Sequence, residues 1–289
     1  MSADPPRTKT APSLASQALS DVAPAPGVSK PDPILVASDV RKSFGGLRAV
    51  DVDELEVQRG SITALIGPNG AGKTTFFNLL TGFDQPDSGR WTFDGQPMAG
   101  VPAHRVARKG MVRTFQLTKA LSRMRVIDNM KLAAVDQRGE RFLPALLPQL
   151  WRGAEAANER RADELLRRFK LDGLRDDYAA TLSGGQRKLL EMARALMVEP
   201  TMVMLDEPMA GVNPALTQSL LGHVQGLRDE GMTVVFVEHD MDVVMGISDW
   251  IVCMAQGQII AEGTPAAVGK DEAVIDAYLG TRHREEDTA

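Results

Sequence analysis

Short apolar runs alternate along the chain with amphipathic segments of helical length. The apolar runs predict buried strands, because several are rich in β-branched residues and turn-forming or charged residues bound them. The main runs lie at residues 62–66, 202–206, 233–237, 251–254 and 258–262. Shorter strands are predicted at residues 34–36, 50–57 and 90–93, with a turn at residues 41–46. Strands that alternate with helical patterns indicate an α/β core.

Helical patterns dominate residues 117–182. Ala162, Leu165, Leu166 and Phe169 have the spacing of one helical face, which predicts a helical subdomain inserted in the α/β core. The apolar stretch at residues 142–151 either packs inside this subdomain or forms a docking face for a partner. A second amphipathic helix is predicted after residue 182, and a third at about residues 265–279.

The two ends of the chain differ in composition from the middle. Residues 1–33 contain seven of the 17 prolines and no aromatic residue, so we predict a disordered tail there. That tail is either a tether or a dispensable extension. The globular part is predicted to span residues 34–280, and the charged residues 281–289 are predicted to be frayed.

Composition excludes several classes of protein. With 43% hydrophobic and 25% charged residues the chain can bury a sizeable core, and a net charge of −5 gives no basic field for nucleic acid. The single cysteine, Cys253, excludes an internal disulfide framework, and its apolar surroundings predict a buried structural thiol. No apolar run reaches the ~18 residues of a membrane span, so any role at a membrane would require a partner.

A glycine-rich segment follows the strand at residues 62–66 and fits the pattern G-x-x-x-x-G-K-[ST]. Strand, glycine loop and helix N-terminus together form a nest of backbone N–H groups for a polyphosphate, which the glycines allow to approach closely. Lys73 would reach the β- and γ-phosphates, and the Thr74 hydroxyl would bind Mg²⁺. The predicted nucleotide-binding residues here are Gly67, Pro68, Asn69, Gly70, Ala71, Gly72, Lys73, Thr74 and Thr75.

Acidic residues end the strand at 202–206. Downstream of a phosphate loop, Asp206 would hold Mg²⁺ through water and Glu207 would polarise the water that attacks the γ-phosphate. His239 follows the strand at 233–237, at the edge where open α/β sheets bind ligands, and would contact the γ-phosphate and hold the attacking water. Alternatively, the carboxylates belong to a strand-to-loop turn and the histidine is structural.

Two further features have both a structural and a functional interpretation. The segment Ser183, Gly184, Gly185 and Gln186 opens a helix, so it is either a simple N-cap or a second anion site. Phe44, placed by the pattern in a loop, either packs on the core or stacks on a purine.

Taken in order, these motifs resemble the ATP-binding subunits of ABC transporters. The elements are the phosphate loop, Gln116 within residues 113–116, the signature element at residues 182–186, Asp206 with Glu207, and His239, with Phe44 and residues 210–213 as further matches. The signature element Leu-Ser-Gly-Gly-Gln is highly specific to this family and argues against a phosphate-loop kinase. The resemblance covers residues 34–280 and implies a phosphate-loop ATPase core with a mixed, mostly parallel sheet, N-terminal antiparallel strands and the helical subdomain.

The resemblance also implies how such a subunit works. Two subunits, identical or different, would enclose two ATP molecules head to tail, each phosphate loop facing Ser183, Gly184, Gly185 and Gln186 of the other subunit. Thr74, Gln116 and Asp206 would hold Mg²⁺, with Glu207 and His239 as the catalytic pair. Partners would be transmembrane permease subunits and an external substrate-binding protein, with the ATPase peripheral on the cytoplasmic face of the membrane.

Within the family the chain looks most like the ATPases of branched-chain amino acid importers. Residues 42–50, 113–116, 207–214 and 277–280 carry that likeness. The chain departs from the family in its long N-terminal segment, and Asn213 replaces the Asp of many relatives outside this subgroup. The alternatives are a transporter subunit for a different cargo and a soluble ABC-type ATPase that acts as a mechanical switch on another assembly.

Overall fold

The computed structural model describes residues 13–114, 122–134 and 152–278. The predicted fraying of residues 281–289 therefore lies outside the described residues. The strands are β1 (Pro33–Phe44), β2 (Leu47–Gln58), β3 (Ile62–Ile66), β4 (Ser88–Phe93), β5 (Gln96–Pro97), β6 (Met111–Arg113), β7 (Met202–Asp206), β8 (Thr233–Val237), β9 (Trp250–Ala255) and β10 (Gln258–Gly263). The helices are α1 (Leu14–Ser20), α2 (Lys73–Leu80), α3 (Ala103–Arg108), α4 (Val126–Leu132), α5 (Arg152–Arg168), α6 (Gly184–Ala195), α7 (Pro214–Asp229), α8 (Met241–Ile247) and α9 (Pro265–Val268).

The central sheet has six strands in the order β10-β9-β3-β8-β7-β6. All neighbours pair in parallel except β10, which runs antiparallel to β9. Apolar side chains on one face pack with α4 to α8, and those on the other pack with α2 and the second sheet, so the strands are buried on both faces. The parallel strands end at one edge, where the phosphate loop follows β3, Asp206 ends β7, and His239 lies just beyond β8.

The second sheet is antiparallel, in the order β2-β1-β4-β5. The turn predicted over residues 41–46 is wrong in extent, because β1 continues to Phe44 and pairs with Leu47. Gly45 and Gly46 alone make the turn, with φ of +53° and +91°, as the tightest hairpin connections require. Phe44 consequently lies at a strand end and not in a loop.

The described part of residues 117–182 is mostly helical, as predicted. Ala162, Leu165, Leu166 and Phe169 are all buried against one core, in agreement with their helical spacing. The apolar stretch at residues 142–151 lies outside the described residues, so both interpretations of it remain predictions. Near the C-terminus, the helix predicted at 265–279 is interrupted at Gly269, where α9 ends, and helix resumes at residues 272–278.

The N-terminal segment corrects the sequence-based prediction. Residues 13–33 are not a disordered tail: they contain α1, whose Leu19 is fully buried in the core that contains α2 and the second sheet. The Lys30 ammonium lies 3.1 Å from a Glu262 carboxylate oxygen and 4.5 Å from the centre of the Trp250 ring. A few well-placed contacts therefore fix a segment whose average composition is typical of disorder.

Replacing Lys30 with alanine is expected to lower the free energy of unfolding by about 3 kcal/mol, since it leaves a buried carboxylate without its cation. The Lys30 and Glu262 side chains are 1% and 0% exposed, so the carboxylate that is left behind is shielded from bulk solvent. Urea denaturation of the purified chain measures the change, with Lys270→Ala at an exposed position as control. An unfolding free energy equal to that of the control would contradict the anchoring role of Lys30.

Candidate active site

The phosphate loop joins the fully buried strand β3 to α2. Gly67 and Gly72 have φ of +145° and +99°, which side chains rarely tolerate. A Cβ atom at Gly67 would lie 2.0 Å from the Met254 carbonyl oxygen, and one at Gly72 would lie 2.3 Å from the Ala49 carbonyl oxygen. Both positions therefore require glycine, because backbone atoms of neighbouring strands close on the loop.

Lys73 is the first residue of α2, and its side chain turns back into the loop. Its ammonium donates to the carbonyl oxygens of Gly67 (2.7 Å) and Pro68 (3.0 Å). Burial lowers the pKa of Lys73, while the charges of Glu207 and Asp206 act in the opposite direction. The lysine and the two carboxylates thus share one electrostatic site, as their positions at one sheet edge predict.

The rest of the loop differs in exposure. Ala71 is buried and anchors the loop in the core, while Thr75 is half-buried. Asn69, Gly70 and Thr74 are exposed, so the helix N-terminus and the Thr74 hydroxyl are accessible to a ligand. This is the arrangement that the motif predicts, although the ligand contacts of each residue stay predictions.

Asp206 is held by an arginine that the sequence analysis did not single out. Arg113, at the end of β6, donates to an Asp206 carboxylate oxygen at 2.6 Å and to the Asn78 side-chain oxygen at 2.5 Å. Its side chain is only 7% exposed, which makes these bonds strong and directional. Arg113 therefore ties the ends of β6 and β7 to α2, and its position three residues before Gln116 was the available clue.

Glu207 and His239 meet, as predicted. His239 Nε2 lies 3.0 Å from Glu207 Oε1, and both side chains are partly exposed. Glu207 adopts a left-handed backbone conformation with φ of +47°, and its N–H donates to the Val237 carbonyl oxygen at 3.0 Å. The main chain is thereby fixed next to β8, which directs the carboxylate toward the histidine.

The neighbouring Glu238, which the sequence analysis did not single out, has a different role. It is buried, and its carboxylate accepts the backbone N–H of Met209 at 2.7 Å and that of His239 at 3.3 Å. Burial raises the pKa of Glu238. Glu238 therefore braces the loops that carry Glu207 and His239.

Ser183 caps α6. Its hydroxyl oxygen accepts the backbone N–H of Gln186 at 3.2 Å, and the Gln186 side-chain oxygen accepts the backbone N–H of Ser183 at 2.9 Å. The structural interpretation of this segment as an N-cap is confirmed. Ser183 and Gly184 are nevertheless exposed, so a second role as an anion site stays a prediction.

The two remaining predicted positions have different outcomes. Phe44 is 51% exposed at the end of β1, so it does not pack in the core. The Lys42 ammonium lies 5.3 Å from the centre of its ring. Gln116 lies outside the described residues. Stacking of Phe44 on a base and metal binding by Gln116 both stay predictions.

Comparison with known proteins places this geometry in a family. The model of the family described as "ABC transporter" matches residues 50–210, which is more than half of the chain. The chain belongs to the ABC transporter family. A second model, described as "Branched-chain amino acid ATP-binding cassette transporter", matches residues 258–284 of this ABC ATPase.

Relatives of this ABC ATPase match it over nearly their whole length. BraF of Pseudomonas aeruginosa, a high-affinity branched-chain amino acid transport ATP-binding protein, is 43% identical over 86% of this chain and 98% of its own. LivG of Archaeoglobus fulgidus, a probable branched-chain amino acid transport ATP-binding protein, is 40% identical over 87% of this chain and 97% of its own. A solved ATP-binding cassette of an ABC transporter in an ADP conformation is 38% identical, with a TM-score of 0.75 over 86% of this chain and 99% of its own.

The predicted fold class and ATP-hydrolysing activity of this ABC ATPase are therefore confirmed.

Tyr278 is one more residue of the site. The sequence analysis cited it only within residues 277–280, as part of the subgroup likeness. The Tyr278 hydroxyl accepts the backbone N–H of Gly67 at 2.9 Å, and burial raises the pKa of Tyr278 to about 12. A neutral phenol from the C-terminal region therefore contacts the first residue of the phosphate loop.

Proposed function

We propose that this chain is the ATP-hydrolysing subunit of a membrane importer for branched-chain or related amino acids. The observation that carries the proposal is the match of residues 258–284 to a family model specific to such transporters. Relatives described as branched-chain amino acid transport ATP-binding proteins match this chain over 97% and 98% of their own length, which supports the same cargo. No helix among the described residues is long and apolar enough to cross a membrane.

ATP binding in this proposal uses the phosphate loop and Phe44. The exposed backbone N–H groups at the start of α2 bind the β- and γ-phosphates, because a helix N-terminus attracts anions. Lys73 transfers its hydrogen bonds from the loop carbonyl groups to phosphate oxygens. The exposed ring of Phe44 stacks on the purine at the neighbouring end of β1.

Hydrolysis uses Glu207 and His239. Glu207 accepts a proton from the attacking water, and His239, at 3.0 Å from Glu207, orients the water and contacts the γ-phosphate. Thr74, Gln116 and Asp206 would hold Mg²⁺; the exposed hydroxyl and the fixed carboxylate are oxygen donors of the kind that this ion prefers. The ion would neutralise developing negative charge on the phosphates.

Assembly in this proposal is head to tail. Ser183, Gly184, Gly185 and Gln186 of one subunit complete the ATP site on the phosphate loop of the other, for which the exposure of Ser183 and Gly184 gives access. ATP binding closes the dimer and hydrolysis reopens it. The partners are permease subunits and an external substrate-binding protein, with this ATPase peripheral on the cytoplasmic face of the membrane.

The alternatives differ in what the ATPase drives. A transporter subunit for another cargo would keep every residue of the site, so only transport itself distinguishes it. A soluble ABC-type switch is disfavoured by the match of residues 258–284 to a transporter family model. The net charge of −5, which gives no basic field for nucleic acid, also argues against it.

Uptake of labelled leucine, isoleucine and valine tests the proposal. Cells that carry Glu207→Gln as their only copy are expected to lose energised uptake, because hydrolysis no longer reopens the dimer. Cells with the wild-type chain and cells with Glu272→Gln, at an exposed helical position, serve as controls. Unchanged uptake with Glu207→Gln, while the purified wild-type chain hydrolyses ATP, would reject this cargo.

A further inference from the structure

The helix that carries the signature element is in direct contact with the loop that carries Glu207. Lys188, in the second turn of α6, donates from its ammonium to the Glu207 carbonyl oxygen at 2.9 Å. The lysine is half-buried, which protects this charge-assisted bond from competition by water. In the proposed dimer, α6 contacts the ATP molecule of the partner subunit, and the Glu207 loop contacts the ATP molecule of its own subunit. The bond joins these two elements.

A second contact holds the other end of the same loop. A Cβ atom at Gly185 would lie 1.5 Å from a Leu216 side-chain carbon, so α6 packs against the first turn of α7 with no space between them. That turn is fixed by Asn213, whose side-chain oxygen accepts the backbone N–H of Leu216 at 3.0 Å. The N-terminal half of α6 therefore contacts the segment 207–216 near both of its ends.

Hydrogen bonds from different elements hold the Glu207 main chain. Its N–H donates to the Val237 carbonyl oxygen of β8, and its carbonyl oxygen accepts from the Lys188 ammonium of α6 and from the backbone N–H of Ala210 at 3.2 Å. Of these bonds, the one to Lys188 is the link to the signature helix. Its φ of +47° is uncommon for a residue other than glycine, so surrounding contacts must maintain it. A shift of α6 relative to β8 would therefore move the Glu207 main chain and its carboxylate relative to His239.

We propose that Lys188 is a positioning residue that couples the signature element of a subunit to the Glu207 carboxylate of the same subunit. This inference rests on the proposed function, in which Ser183 faces the partner's ATP while Glu207 faces its own. When ATP occupies the partner's site, its contact with the signature element fixes the position of α6. Through the Lys188 bond, α6 then fixes the position of the Glu207 carboxylate in the subunit's own site. The two sites are thereby linked within one chain.

Lys188→Met tests the coupling in the purified full-length chain. We expect kcat to fall about tenfold, because a misplaced carboxylate costs transition-state stabilisation. The Kd for ATP, measured with a fluorescent analogue, is expected to stay unchanged, and the dependence of rate on ATP concentration is expected to lose its cooperativity. Lys188→Arg, which keeps a cationic donor, is expected to restore most of both properties.

The matched control is Lys131→Met, which removes another lysine with a charge-assisted contact, to Glu155 at 3.0 Å, away from the Glu207 loop. If Lys188 has only a structural role, Lys188→Met would lower thermal stability and would change kcat and the Kd for ATP together. That result would overturn the proposal. So would a Lys188→Met chain with wild-type kcat and cooperativity. Should Lys188→Met not fold, Lys188→Gln, which shortens the side chain and removes its charge, gives the same comparison.

Glu207→Gln, measured in parallel, separates failure of this inference from failure of the proposed function. If Glu207→Gln is inactive while Lys188→Met is fully active, the coupling is wrong and the catalytic assignment stands. If Glu207→Gln keeps wild-type turnover, the assignment of Glu207 as the base is itself wrong, and with it the basis of the coupling.

Discussion

Glu207→Gln is expected to remove ATP turnover while ATP still binds. The amide keeps the size of the side chain and its reach to His239, but it cannot accept a proton from the attacking water. Because a positioned general base contributes about 10²- to 10⁴-fold to the rate, the loss is expected to lie in that range. Phosphate release under single-turnover conditions measures the chemical step, and size-exclusion chromatography with ATP detects the trapped closed dimer.

The control for this prediction is Glu272→Gln, an identical chemical change at an exposed helical position. Glu238 is not a suitable control, since its buried carboxylate accepts two backbone N–H groups that an amide would bind less well. Wild-type phosphate release by Glu207→Gln would show that another group activates the water. Loss of ATP binding would show instead that Glu207 is needed to form the site.

Lys73→Ala is expected to weaken ATP binding about 100-fold, since removal of a buried charge leaves the phosphate charge without its partner. The Lys73 side chain lies inside the loop, between the carbonyl groups of Gly67 and Pro68, so no other cation occupies the same position among the described residues. Equilibrium binding of a fluorescent ATP analogue, or calorimetry, measures the change.

The control for Lys73→Ala is Lys270→Ala, which removes an exposed lysine remote in sequence from the loop. Thermal unfolding without nucleotide must accompany the measurement, because the Lys73 ammonium also holds the loop in shape. An ATP affinity equal to that of the control, in a chain that is folded, would contradict the assignment of the phosphate loop.

The central strands and the phosphate loop could be predicted because the information for them is local. A buried, partly β-branched run at β3, followed by glycines and a lysine, specifies strand, turn and helix within about twenty residues. The turn before β2 was predicted too long, because only the backbone of Gly45 and Gly46 decides where the hairpin reverses. The segment at residues 13–33 was predicted wrongly, because its order depends on contacts with β9 and β10.

The candidate site follows the same rule. Asp206, Glu207 and His239 could be predicted to meet, because each ends or follows a parallel strand of one sheet and such ends converge. Arg113, Lys188 and Glu238 act through hydrogen bonds to segments distant in sequence, and no periodic pattern identifies such residues. Their roles required the structure.

The hydrogen bond between Tyr278 and Gly67 has a consequence for biosynthesis. Tyr278 follows Gly67 by 211 positions, so nearly all of the catalytic core is synthesised before Gly67 can form this hydrogen bond. A nascent chain that has been synthesised only as far as β10 already contains the whole phosphate loop but lacks Tyr278. The loop therefore reaches its final hydrogen bonding only after residue 278 has been synthesised.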